Sequence, residues 1–393
     1  MKLYRIKCAI PPNREPWVVS LEQRIRMVRS AAEQGRKVAL LLYRQADTST
    51  FRYRCYNIYQ ATRDSEWQSV YFFLNELDAV ESLLCMSQVL VLTRIKWSYL
   101  LDSLVHKAHK KGIPVLFDVD DLICDIRYLP LLTNTLNVHF GSEIDYDFWF
   151  AYISRHQAVA ERVDGFTTTN PFLGERLSER YNRPYQVIMN SLNEEQLLVS
   201  KRCRQRKERQ KSGDPFTIGY FSGTPSHIND FRVAYRELLQ LLEDYPKMTL
   251  QVVGFMEFPQ EMETMIQKGR ITFIPLVDFM ELQRLIAQVD VNIVPLVHNA
   301  FTNCKSELKF FEAAAVDSIT VATPTYTYGK AIRHGETGFL CEQGSWYDTI
   351  ARIYEHPTEA MQIAKCAREY CLATYAGNSF KEQVCATYDY FAR

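Results

Sequence analysis

The chain carries no surplus of charge of either sign: 46 lysines and arginines stand against 46 aspartates and glutamates, a formal net charge of +0. That excludes the basic footprint with which a nucleic-acid binder gathers phosphates, so no nucleic-acid partner is expected. The ten cysteines never form a C-x-x-C pair and never alternate with histidine. Structural zinc is therefore not expected, no metal ligand is assigned, and a reducing compartment fits. No apolar run is long enough to span a bilayer, and the first residues, Met1–Cys8, lack the apolar core of a signal peptide. The expected location is cytoplasmic, with peripheral contact at the inner face of a membrane left open. Short internal repeats and low-complexity tracts are also absent.

What is present is an alternation of strand-like apolar runs with amphipathic helical stretches, the pattern of βαβ units and parallel sheets. At 393 residues the chain is too long for one ordinary core. Its first half offers strands at Lys37–Tyr43, Ser69–Phe73, Gln88–Thr93, Pro114–Asp118, Gly165–Thr169 and Tyr185–Met189. The second half offers Phe216–Phe221, Thr249–Gly254, Ile271–Pro275, Val291–Val294 and Ser318–Ala322. Between the two series Lys201–Gly213 has almost no apolar residue and reads as a basic linker, solvated or able to dock on anionic lipid. The fold class is α/β, with two Rossmann-like domains: 1–200, the linker 201–213, then 214–378, followed by a last helix over 379–393.

The most telling segment is Asn303–Ala315, which follows the buried run Val289–Leu296. A helix starting near Ser306 points unpaired amides and its positive dipole end at the sheet's edge, which favours an anion. Lys305 and Lys309 add full positive charge where it is otherwise mildly unfavourable, a hint of a ligand. In the first half Asp118, Asp120 and Asp121 end an apolar strand. They suit hydrogen bonding to a ligand's hydroxyls, or capping of the following turn, or, less simply, a metal-binding D-x-D. Arg52 and Arg54 follow the first strong strand, where a guanidinium could grip a phosphate bidentately or serve a structural role.

Three segments of the second half, Ile218–His227, Ser306–Ala315 and Ala331–Leu340, resemble the GT-B glycosyltransferases of the large retaining class called family 4. The resemblance is specific there and weak in the first half. It implies a central cleft, with the acceptor bound by the first domain and a nucleoside diphosphate-sugar by the second. Asn190–Asn193 resembles the turn that ends the first domain, and the last helix would cross back onto that domain. Glu312 falls on the second of the family's two glutamates, the one that holds the ribose hydroxyls. The first falls on Cys304, so Glu307 stands in as a partial replacement. The arginine and lysine that many members place after the first strand of the second domain are absent; Gly223, Thr224 and His227 offer amides, a hydroxyl and an imidazole instead. His227 also reads as an ordinary loop histidine. The loop holding Arg52 and Arg54 lacks the paired glycines common in the broader family.

The donor-binding set is thus Gly223, Thr224, His227, Asn303, Ser306, Glu307 and Glu312, and the acceptor-binding set Arg52, Arg54 and Asp118. Lys305 and Lys309 would stabilise the leaving diphosphate, while Asp120 or Asp121 would orient the acceptor hydroxyl. No cofactor is implied beyond the nucleotide-sugar substrate. The function expected is transfer of a sugar to a glycan or lipid-linked acceptor with retention, in surface polysaccharide or glycoconjugate synthesis. A nucleotide-sugar hydrolase or epimerase of the same fold, and a non-catalytic binding subunit, remain alternatives.

Overall fold

The structure is a computed structural model and describes residues 15–138, 140–207, 215–223 and 228–393. The apolar runs pair into two six-stranded sheets, every ladder parallel. The first contains β1 (Lys37–Tyr43), β2 (Trp67–Phe73), β3 (Val89–Thr93), β4 (Val115–Val119), β5 (Gly165–Thr168) and β6 (Tyr185–Val187). The second contains β7 (Phe216–Ser222), β8 (Met248–Gly254), β9 (Ile271–Ile274), β10 (Val291–Val294), β11 (Ile319–Ala322) and β12 (Phe339–Leu340). Eleven of these follow the expected runs; β12, two residues long, is too short to be seen as a strand in the sequence.

Helices cover both faces, which is why the central strands are apolar at nearly every position rather than at alternate ones. Leu40, Leu42, Leu90 and Leu92 are all fully buried in the core of the first sheet. Each such side chain stabilises the fold by roughly 1.5–3 kcal/mol through burial.

Strand order decides where ligands can sit. The second sheet runs β12-β11-β10-β7-β8-β9, and the first β2-β1-β3-β4-β5-β6. In each the order reverses beside the first strand of the domain, and chain segments leave in opposite directions from the carboxyl ends there, opening a crevice. The crevices lie between the ends of β7 and β10 in the second sheet, and of β1 and β3 in the first. Gly254, at the end of β8, keeps that edge compact: with φ 105°, a Cβ there would lie 1.8 Å from the Ser222 carbonyl oxygen.

The two domains are joined differently from the simple linker expected over 201–213. Lys201–Lys207 are the last turns of a helix, Glu194–Lys207, and the remainder of that stretch, 208–213, lies outside the described residues. Glu194 and Glu195 at its start and the basic residues at its end complement the helix dipole. It touches both domains: Glu195 accepts from the Tyr56 hydroxyl at 2.7 Å, while Arg204 donates to the Ala315 carbonyl. The last helix, Gly377–Phe391, returns to the first domain, where Asp389 accepts from Lys37 Nζ at 2.6 Å and from Trp67 Nε1 at 3.0 Å. Where the chain passes between domains, the Leu192 amide donates to the Tyr375 carbonyl at 2.8 Å.

Candidate active site

The second-sheet crevice is built from two strand ends. Gly223 follows β7 and is exposed with open space around it; Thr224 and His227 lie outside the described residues. After β10 the chain turns through Asn299, which caps a short helix, Ala300–Asn303, by accepting from the Thr302 amide at 3.0 Å. The main helix begins at Leu308 and runs to Ala314, two residues later than the start expected near Ser306. Lys305, Ser306 and Glu307 therefore occupy the turn ahead of it, and Asn303 ends the short helix. Asn303 fixes a neighbouring helix, accepting the Tyr326 amide through Oδ1 at 2.9 Å.

Lys305 and Lys309 both reach this crevice. Lys305 Nζ lies 3.8 Å from Asp230 Oδ2, and Lys309 Nζ lies 5.4 Å from the centre of the Tyr220 ring. Burial, together with the nearby Lys305 charge, pushes the Lys309 ammonium down to about 8, against a partial pull upward from Asp230 and Glu312. Beside them Ser306 Oγ is buried and has no hydrogen-bond partner among the described residues. A hydroxyl left so costs free energy unless something fills the gap. Glu307 is buried as well; desolvation raises its pKa, opposed by the Tyr375 hydroxyl. The Cys304 thiol is fully buried and pushed up by burial, while its carbonyl accepts from Asn170 Nδ2 of the first domain at 2.7 Å.

Glu312 stands in a setting that the sequence did not suggest. Its Oε1 accepts from Tyr53 Oη, from Gln196 Nε2 at 3.0 Å and from Arg52 Nη2 at 3.3 Å. Tyr53 and Arg52 belong to the first domain, so this carboxylate ties the two domains together. Arg52 is thereby turned toward Glu312 and not toward the acceptor side. It is 3% exposed, donates through Nε to the Thr48 carbonyl at 2.8 Å and lies over the Phe279 ring at 5.0 Å.

Arg54 and Asp118, expected at the acceptor, instead bind each other in a two-bond fork of 2.9 and 2.6 Å at 0% and 1% side-chain exposure. Thr167 Oγ1 adds a third bond to Asp118 at 2.6 Å, and Arg54 Nη1 reaches Asn190 Oδ1 at 3.2 Å. This pair holds β4, β5 and the end of the first domain together. A guanidinium fully buried, with each of its nitrogens bonded inside the first domain, is out of reach of an acceptor phosphate, which corrects both assignments.

Asp120 and Asp121 follow β4 and are partly exposed. Both carboxylates lie 2.9 Å from Arg94 Nη1, and Thr50 Oγ1 donates to Asp120 at 2.8 Å. Burial raises the Asp121 pKa, with Arg94 opposing, Asp120 adding to the rise and Lys305 of the second domain lowering it. The acids of one sheet edge and the lysine of the other thus share one electrostatic environment. Arg94 was missed in the sequence, although it directly follows β3 at the first sheet's crevice. Its φ of 44° is in the left-handed region, an unusual conformation for a side chain of this size. Among the described residues no group of three or more histidines, cysteines or acids is arranged to hold a metal ion.

Comparison with known proteins agrees with this geometry. Residues 215–356 match the family described as glycosyl transferases group 1. No curated protein matches the chain. Among solved structures, Anabaena HepE in complex with UDP and glucose is 13% identical, with a TM-score of 0.61 over 90% of this chain and 100% of that one. Sucrose-phosphate synthase from Thermosynechococcus elongatus is 15% identical, TM-score 0.57, over 90% and 99%. A glycosyltransferase from Rickettsia africae is 11% identical, TM-score 0.59, over 91% and 99%. Two parallel sheets meeting at a cleft, a group 1 domain carrying the lysine-lined crevice and this structural likeness lead to one conclusion: the chain is a glycosyltransferase of the GT-B fold.

Proposed function

We propose that the enzyme moves a sugar from a nucleoside diphosphate-sugar to a glycan or lipid-linked acceptor with retention of configuration, in the synthesis of a surface polysaccharide or glycoconjugate. UDP in solved complexes of HepE makes a uridine nucleotide the first donor to try. The observation that carries the reading is the convergence of Lys305, Lys309 and the unpartnered Ser306 Oγ in the second-sheet crevice. As the glycosidic bond breaks, charge gathers on the leaving diphosphate, and cations set there stabilise the transition state more than the ground state. Asp120 and Asp121, across the cleft, orient the acceptor hydroxyl; Asn303, Glu307 and Gly223 shape the donor side, with Thr224 and His227 as further donor contacts. No metal or cofactor takes part in this mechanism.

Glu312 anchors the ribose in this proposal, which requires the donors from Tyr53, Arg52 and Gln196 to let go of its Oε1. Nucleotide entry therefore goes with cleft opening. The test is to incubate the protein with a panel of labelled UDP-sugars, with and without candidate acceptors. Sugar transfer supports the proposal. Free sugar released without an acceptor points to the hydrolase, and nucleotide binding without turnover to a non-catalytic subunit.

A further inference from the structure

The first half of the helix Glu143–Ala160 is apolar around most of its circumference, yet it is exposed. Ile144 is 77% exposed, Phe148 57% and Phe150 55%. A helix of this composition normally lies inside a protein or against something else. With about 100° of rotation per residue, Ile144, Phe148 and Arg155 fall within roughly 40° of one another, while Glu143 and Asp147 lie about 60° to 140° away. The third acid of that turn, Asp145, is engaged by the Gly141 and Ser142 amides at 2.9 and 3.0 Å. One flank is thus apolar and basic.

Its surroundings extend the same chemistry. Lys96 Nζ lies 4.4 Å from the centre of the Tyr152 ring and 5.8 Å from that of Phe148. The Arg155 carbonyl accepts from the Trp97 amide at 2.9 Å, which brings Tyr99, 82% exposed and 4.9 Å from the Trp97 ring, to the same side. Among the described residues neither Lys96, Arg155 nor Arg44 makes an ion pair with a carboxylate. Burial lowers the Lys96 pKa, and Arg155, Arg44 and Arg94 lower it further. Mutually repelling cations beside exposed aromatic rings match a surface of negative headgroups over an apolar layer, where aromatic side chains settle at the boundary. A second copy of the chain would offer these cations the same positive flank, so charge argues against it.

We propose that this flank, made by Ile144, Phe148, Tyr99, Lys96 and Arg155, docks the enzyme on a bilayer containing anionic lipid. Arg44 and Lys96 follow β1 and β3 at the first sheet's crevice, and Tyr152 Oη accepts from Arg94 Nη2 at 3.3 Å. Docking therefore turns the acceptor side of the cleft toward the lipid. This narrows the proposed acceptor to the lipid-borne class and rests on that reading for its catalytic meaning, though the docking itself does not.

The test is co-sedimentation with vesicles of phosphatidylcholine alone and of phosphatidylcholine mixed with phosphatidylglycerol. Wild type should pellet with the mixed vesicles and stay in solution with the neutral ones. Lys96→Gln and Arg155→Gln should each weaken binding about fivefold, and Ile144→Ser with Phe148→Ser at least tenfold, with melting temperatures unchanged because all four side chains are partly or fully exposed. The charge variants keep the test decisive if the double apolar variant folds poorly. Wild type left in the supernatant with both vesicle types overturns the proposal. So does pelleting that ignores these substitutions, or their dissolving a dimer seen by sedimentation, which would make the flank a self-interface. Vesicle binding needs no turnover, so an enzyme that transfers to a soluble acceptor without binding lipid, or binds lipid without transferring, tells the two failures apart.

Discussion

Lys309→Met should make the protein more stable and much less active. Burial holds the Lys309 ammonium near 8 against an ordinary 10.5, so the folded state binds this proton less tightly than the unfolded chain. Between those values the unfolded state carries more protons, and stability rises with pH through that window. At pH 7 the full shift corresponds to at most about 3 kcal/mol of penalty for the charged form, at about 1.4 kcal/mol per pH unit. The side chain keeps some contact with water, and the cation's attraction to the Tyr220 ring offsets roughly 0.5–1 kcal/mol, so a net gain of about 1 kcal/mol is expected from methionine, which preserves the stem. Urea unfolding at pH 7 reads this directly, and the variant should lack the wild-type rise in stability above pH 8. With donor saturating, its turnover should fall about a hundredfold, the scale of losing one group that stabilises developing negative charge. Wild-type kcat/KM for the donor should decline as the pH passes about 8, where the free enzyme's cation is lost. The exposed helix residue Lys201 supplies the control: Lys201→Met should leave both readouts alone. A Lys309→Met variant that turns over normally, or that loses stability, would refute the assignment of this charge to the diphosphate.

Glu312→Gln should weaken nucleotide binding roughly tenfold or more while the protein stays folded, since charge-assisted bonds contribute about 1.5–3 kcal/mol each; unchanged affinity by titration calorimetry would remove Glu312 from the donor site. Transfer should persist in EDTA because lysines carry the charge neutralisation, and loss of activity restored by manganese would return Asp118 and Asp120 to metal binding. Arg54→Met should destabilise by about 3–5 kcal/mol by leaving Asp118 buried without its partner, measured by denaturant melts; a stable variant with only a raised acceptor KM would restore the phosphate-grip reading.

How much of this was legible in the sequence follows from how local each signal is. A strand buried on both faces announces itself as an apolar run, and eleven of the twelve strands did so; Phe339–Leu340 pairs over only two residues and carries no such signal. Lys305, Ser306 and Lys309 stand within five positions of one another, so their proximity after β10 was legible, although the helix starts only at Leu308. Arg54 was misread because its partner Asp118 is 64 positions away and nothing near either residue reports a fork between them. Arg52 shows the same blindness across 260 positions, where only the folded cleft reveals that it meets Glu312. The helical continuation through Lys207 was hidden by its lack of apolar residues. It is supported instead by dipole-matched charges and by Arg204 capping a carbonyl of a distant helix.

The bond between the Leu192 amide and the Tyr375 carbonyl joins the two places where the backbone passes between domains. A single flexible tether would let one domain swing in any direction relative to the other. Two passages pinned side by side act as a door hinge, leaving rotation about one line as the easy motion. Substrates then enter and leave along the edge remote from that line, and closing returns the opposed crevices to the same register each time. Product release becomes a matter of rotation angle, so Leu192→Pro, which removes the amide that donates this bond, should alter turnover while every group in the crevices remains intact.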